Sequence, residues 1–123
     1  MNKKLIMILG LVLSSMLMKA QAFFMPFPKA GDKYWQKQVS VAMRNDYIRL
    51  GNLYRSKSWN AIPDSMFAEF RTNGNRTRYE EASFGIRKQF VCLVMAEIMQ
   101  GRGRFLPSIR KGLHYFIEKE PWW

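Results

Sequence analysis

The sequence predicts an all-α fold. Apolar residues recur three or four positions apart in four segments, glycine, proline or asparagine separates those segments, and no stretch alternates polar and apolar residues over a useful length.

The first 22 residues have a different design from the rest. Lys3 and Lys4 precede an apolar run from Leu5 to Met18, and the triplet Ala20, Gln21, Ala22 closes it, which is the layout of a signal peptide cleaved after Ala22. That run is 14 residues long, short of the roughly 20 needed to cross a bilayer as a helix. No stable membrane anchor is therefore expected, and the chain is read as exported, to the periplasm or beyond the cell. The only cysteine is Cys92, far downstream, so no lipidation site follows the apolar run. From Phe23 to Gly31, Pro26, Pro28 and Gly31 favour an extended leader.

The helical segment starts at Asp32, a capping residue. Beyond it Trp35, Val39, Ala42, Met43, Tyr47, Leu50 and Leu53 or Tyr54 fall on one face, so a single helix is expected to run from Asp32 to about Ser56. A shorter helix begins near Pro63, carries Met66, Phe67 and Phe70, and ends at Asn73 and Gly74. The third is expected from about Tyr79 to Gln100. Phe84, Val91, Val94 and Ile98 form one stripe on it and Phe90, Leu93 and Ala96 a second beside it, which implies packing on two sides. Gly101 and Gly103 stop it, and Leu106, Ile109, Leu113, Phe116 and Ile117 mark a fourth helix from about Phe105 to Lys119, with Pro107 in its first turn.

Size and charge bound the function. Removing 22 of 123 residues leaves 101, enough for one small domain with a modest core. The leading segment holds three lysines and no acid, so the net charge falls from +11 to +8 on cleavage. An excess of that size attracts anionic partners: acidic polysaccharide, nucleic acid or a lipid surface. Charge alone does not choose among them. Cys92 cannot form an intrachain disulfide and reads as a buried hydrophobe.

Few residues carry recognisable chemistry. The sequence shows no metal-ligand spacing, phosphate loop or nucleophile motif, and no catalytic residue, metal or cofactor is expected. His114 and Tyr115 are adjacent, which on a helix directs them about 100° apart, so a structural role is expected for His114. Arg76, Arg78, Tyr79 and Glu80 lie where a loop opens a helix. They can present guanidinium and backbone N–H groups to an anion, or be a solvated loop in which Glu80 and Glu81 suit the helix dipole. Arg87 interrupts an apolar stripe, so it either pairs with a buried acid such as Glu97 or reaches a substrate groove, with the ion pair favoured. Trp35, Phe84, Phe90 and Phe116 fall on packing faces, whereas Trp59, Trp122 and Trp123 are the exposed aromatic candidates for stacking on a sugar. Lys57, Arg71, Arg102, Arg104, Arg110 and Lys111 read as ordinary surface charges.

The stretch from Gly74 to Ile98, with the GRGRFLPSIRKG segment after it, resembles the N-terminal region of the heparinase II/III-like polysaccharide lyases. The residues that carry the resemblance are Asn75, Arg76, Tyr79 and Glu80, then Arg87, Leu93, Ala96 and Glu97, then Gly103, Arg104, Phe105, Leu106 and Ile109, and finally Trp122 or Trp123. Arg49, Tyr54 and Trp59 to Pro63 fit less tightly. The resemblance covers about Tyr34 to Trp123 and implies the start of an (α/α) toroid in an exported enzyme that cleaves uronate-containing polysaccharide by β-elimination.

It also implies a substrate-binding set of Arg76, Arg78, Tyr79, Glu80, Arg87, Trp122 and Trp123, with acidic polysaccharide as partner of the complete enzyme and no nucleic acid. The family's catalytic histidine and tyrosines lie in a part of the toroid that has no counterpart among these residues, so a fragment inactive by itself is expected. Apolar surface left for the missing neighbour, including Phe90, Leu93 and Trp122, would then favour self-association. The competing reading keeps the charge and discards the resemblance: a free-standing secreted basic helical protein that binds an anionic polymer or membrane surface without catalysis.

Overall fold

The computed structural model describes residues 27–119, and all its regular structure there is helical. The signal-peptide reading of residues 1–22 and the terminal Trp122 and Trp123 lie outside the described residues. Five helices follow in order: α1 (Lys33–Gln38), α2 (Val41–Tyr54), α3 (Asp64–Asn73), α4 (Thr77–Gln100) and α5 (Leu106–Glu118).

The long first helix expected from Asp32 to Ser56 is two helices. Asp32 caps α1, its Oδ1 accepting from the Tyr34 N–H at 2.7 Å. Val39 then turns extended, and Ser40 caps a new helix by accepting from the Met43 N–H at 3.2 Å. A serine hydroxyl that competes for backbone donors favours this position over a helix interior. The other boundaries fall within two residues of the sequence reading. Gly74 and Gly101 end α3 and α4 in the left-handed conformation, with φ of 75° and 63°.

The dominant interface is α2 against α4. At its centre Leu93, Ala96 and Phe105 are fully buried, and Tyr54, Trp59 and Ile109 pack around them. Gly51 permits the close crossing: a Cβ there would lie 2.3 Å from the Ala96 Cβ and 3.0 Å from the Phe105 ring. A side chain at that point would push the two helices apart. Leu93, expected to stay partly uncovered, is therefore enclosed, because α2 and the turn before α5 close over it together.

Glu97 organises that turn. Its buried carboxylate accepts from the Gly103 N–H at 2.6 Å and the Phe105 N–H at 3.0 Å, and so drives Phe105 into the core. The expected ion pair with Arg87 does not occupy this carboxylate. The two residues are ten positions apart on one helix, a rise of about 15 Å, which is beyond the reach of a pair. The leader docks at the same end of the molecule. Gly31 donates to the Ile98 carbonyl at 2.8 Å, and a Cβ on Gly101 would come within 2.5 Å of the Gly31 Cα, so two glycines are needed where these backbones meet.

Burial is unequal along α4. Cys92, Leu93, Ala96, Glu97 and Met99 are enclosed, while Phe84, expected in the core, is 61% exposed and Val91 is 53% exposed. No residue of α3 is buried.

Candidate functional site

The corner between α3 and α4 contains four of the residues singled out from the sequence. It begins with two stacked asparagine turns, in which Asn75 N–H donates to Asn73 Oδ1 at 2.9 Å and Thr77 N–H donates to Asn75 Oδ1 at 3.1 Å. Glu69, reaching from α3, accepts from Arg78 at 2.6 Å and from Asn75 Nδ2 at 3.4 Å. Arg76 pairs with Glu80 one turn later at 2.9 Å. Both guanidinium groups thus have a carboxylate partner, and the Thr77 amide is taken by the chain itself. The pairs hold the corner's shape, although at this exposure each contributes only about 0.2–1 kcal/mol.

Beneath the pairs lies an apolar floor. Phe67 and Tyr79 meet edge to face with ring centroids 5.4 Å apart, and with Phe70, Arg76 and Glu80 they line a depression of about 270 Å³. Its aromatic walls and charged rim are the arrangement that sugar recognition uses, with an apolar ring face against an aromatic and polar groups at the edge. A scan of protein-family models and searches of curated proteins and of solved structures find no match to this chain.

Of the rest of the sequence-based set, Trp122 and Trp123 lie outside the described residues, and two arginines stand apart from the depression. Arg78 points its guanidinium at Glu69 and does not line the depression. Arg87 is exposed on α4, more than two turns beyond Tyr79. Among the described residues, no group of three or more His, Cys, Asp or Glu is gathered as a metal site would require, and no helix is long and apolar enough to cross a membrane. His114 Nε2 lies 3.1 Å from Glu118 Oε2 in an exposed pair on α5.

A second concavity, of about 420 Å³, was not singled out from the sequence. Lys57, Ser58 and Trp59 form one wall, and Lys111, His114, Tyr115 and Lys119 the other. Trp59, expected to be exposed, is half buried, with ring centroids 6.2 Å from Phe90, 6.1 Å from Tyr115 and 6.3 Å from Phe116. Gly112 makes room for it, since a Cβ there would stand 2.6 Å from the indole. Trp59 Nε1 is enclosed without a hydrogen-bond partner. The loop that carries this wall is tied down by Gln89 donating to the Lys57 carbonyl at 3.3 Å and by Ser108 donating to the Arg55 carbonyl at 2.7 Å. One signal for this groove was present in the sequence: Lys111, Tyr115 and Lys119 are spaced by four, a single row along a helix.

Proposed function

We propose that this chain is the leading helical segment of an exported lyase that acts on acidic polysaccharide, contributing one wall of the substrate cleft and lacking the catalytic groups. The observation that carries the reading is where the residues of the resemblance fall. Asn75, Arg76, Tyr79 and Glu80 meet at one corner, Leu93, Ala96 and Phe105 are the core, and Glu97 ties Gly103 and Phe105 into the turn. The resemblance thus follows positions that this fold depends on, which supports a shared scaffold.

In this reading the Phe67, Phe70 and Tyr79 depression receives a sugar ring, and Arg76 exchanges Glu80 for a uronate carboxylate. A guanidinium matches that group with two parallel hydrogen bonds. Elimination needs in addition a group to neutralise the carboxylate, a base beside the acidic carbon and an acid at the leaving oxygen. Arg76 would supply the first of these, and the base and the acid are assigned to no residue of this chain.

The test is retardation of the full chain in native gels cast with polygalacturonate, alginate or a neutral glucan. The proposal expects retardation by at least one uronate polymer and none by the glucan, a loss of at least threefold in affinity for Arg76→Gln and Tyr79→Ala, and no growth of unsaturated uronate absorbance on incubation. Equal retardation by all three polymers, or by none, would contradict it.

A further inference from the structure

The α4–α5 hairpin has an exposed face away from the α3–α4 corner. Inside the hairpin the Phe90 and Phe116 ring centroids are 5.2 Å apart, and near the connecting turn Glu97 accepts from the Phe105 N–H at 3.0 Å. Position 90 therefore faces 116 while 97 faces 105, so the two helices run antiparallel. Val91 follows Phe90 and Ile117 follows Phe116, each turned about 100° about its own axis in the same sense. In an antiparallel pair, equal turns away from the shared interior lead to the same side. Leu113 and Leu106 lie about one and three turns before Ile117 and extend its row along α5. Val91, Leu106, Leu113 and Ile117 are all exposed.

The charge along this hairpin is strongly one-sided. From residue 82 to residue 117 the sequence holds six arginines and lysines and a single acid, Glu97, which is buried and turned to the backbone of the Gly103 to Phe105 turn. Arg110 sits within the α5 row and Lys88 lies one turn before Val91, and both are exposed. Glu80 and Glu81 precede this span, at the end of the hairpin away from the connecting turn. Glu118 and Glu120 follow it; Glu118 engages His114 at 3.1 Å, and Glu120 lies outside the described residues.

This combination selects the partner. An acidic polysaccharide would engage the cations and leave four aliphatic side chains in water, since sugar rings stack on aromatic faces. A second copy of the chain would bring like charges together. A bilayer with anionic headgroups accepts both components, its acyl boundary taking the leucine, isoleucine and valine side chains while its headgroups take Lys88 and Arg110. We infer that this face of α4 and α5 is a docking surface for an anionic lipid bilayer. With 13 residues, α5 lies on such a surface and does not span it. Each basic group near an anionic surface raises partitioning about fivefold, so the contact is salt-sensitive and reversible. The inference does not depend on the polysaccharide reading, which concerns the other end of α4.

The apolar run from Leu5 to Met18 can itself enter lipid, so the test must be read residue by residue. The methyl-labelled full chain is mixed with bicelles of phosphatidylcholine and phosphatidylglycerol that contain a nitroxide lipid, and the broadening of each methyl resonance is measured. Val91, Leu106, Leu113 and Ile117 should lose at least half of their intensity. Leu53, equally apolar and exposed but on α2, should keep most of its own. Phosphatidylcholine alone, or salt raised to about 0.5 M, should leave the four methyls no more broadened than Leu53. Lys88→Gln together with Arg110→Gln should restore at least half of the lost intensity with the shift of the buried Leu93 methyl unchanged, while Arg71→Gln on α3 restores none. Equal broadening at Leu53, an equal response to neutral lipid, an unaffected double variant, or shifts of these four methyls with polygalacturonate in place of lipid would each overturn the inference. None of these outcomes bears on retardation by uronate polymers through Arg76 and Tyr79, so the two readings fail separately.

Discussion

The two halves of α4 have opposite surroundings. Its C-terminal half is enclosed by α2, the Gly101 to Phe105 turn and the docked leader, with Val91 exposed on the far side, while its N-terminal half buries only Ser83 and carries Phe84 in solvent beside an α3 that buries nothing. Hydrophobic content separates them in part, since 9 of the 12 residues from 89 to 100 are apolar against 4 of the 12 from 77 to 88, and the fit of neighbours separates them further. The closed end has small residues, Gly51, Ala96 and the Gly31 and Gly101 pair, at each place where a neighbour must approach. The open end also has a glycine, but a Cβ on Gly85 would meet nothing within 4 Å, so the apolar surface around Phe84 remains available to something else. In the proposed lyase that something is the next hairpin of the toroid.

Substitutions at the closed end should have the largest effects. Phe105→Ala removes the central ring and is expected to cost about 3–5 kcal/mol, read as the shift in a urea midpoint. That is a large part of the roughly 5–15 kcal/mol available to a domain of this size, so a chain still folded in the absence of urea and only slightly shifted would show that the closed end is not the source of stability. Glu97→Gln keeps the shape but replaces a carboxylate acceptor with a neutral amide oxygen. It should cost about 1.5–3 kcal/mol, the range for hydrogen bonds to charged groups, and an effect below 0.5 would mean the turn holds without it.

At the open end the expected effects are small and differ in kind. Phe84→Ser, and likewise Val91→Thr on the exposed side of the helix just past its midpoint, should change stability by less than about 0.5 kcal/mol, as surface positions do, while lowering the binding of a hydrophobic dye by residues 23–123. The unmodified segment should bind the dye strongly and self-associate despite its charge. A monomer that ignores the dye would remove the distinction between the two ends and favour the free-standing reading. Smallest of all is a pH effect at Cys92. Burial pushes this thiol above its ordinary value, with the Lys88 ammonium offsetting part of the rise. The unfolded chain then loses the proton first, so stability should decline as pH climbs past about 8.5, and Cys92→Ala should flatten that decline.

The legible parts of the fold were those with local punctuation. Pro63, Gly74, Gly101, Gly103 and Pro107 set the limits of α3, α4 and α5 because each acts on its own backbone. The break at Ser40 was hidden, since the apolar pattern continues in phase across it. The sequence marks Glu97 as a buried acid but not its partners, because the backbone N–H groups it satisfies exist at almost every position and carry no sequence mark. The half-burial of Trp59 has no local mark, because it depends on Gly112, more than fifty residues away. At the candidate site, the juxtaposition of Arg76, Tyr79 and Glu80 followed from spacing on one helix, whereas the floor supplied by Phe67 and the pairing of Arg78 with Glu69 required the fold of α3 onto α4.

Amide hydrogen exchange along α4, measured with and without an acidic oligosaccharide, tests the division of this helix and the proposed role of its open end together. The account predicts slow exchange at residues 92–99 that is indifferent to the sugar, and faster exchange at residues 78–86 that slows when the oligosaccharide is present. Uniform protection along the whole helix, unchanged by the sugar, would contradict it.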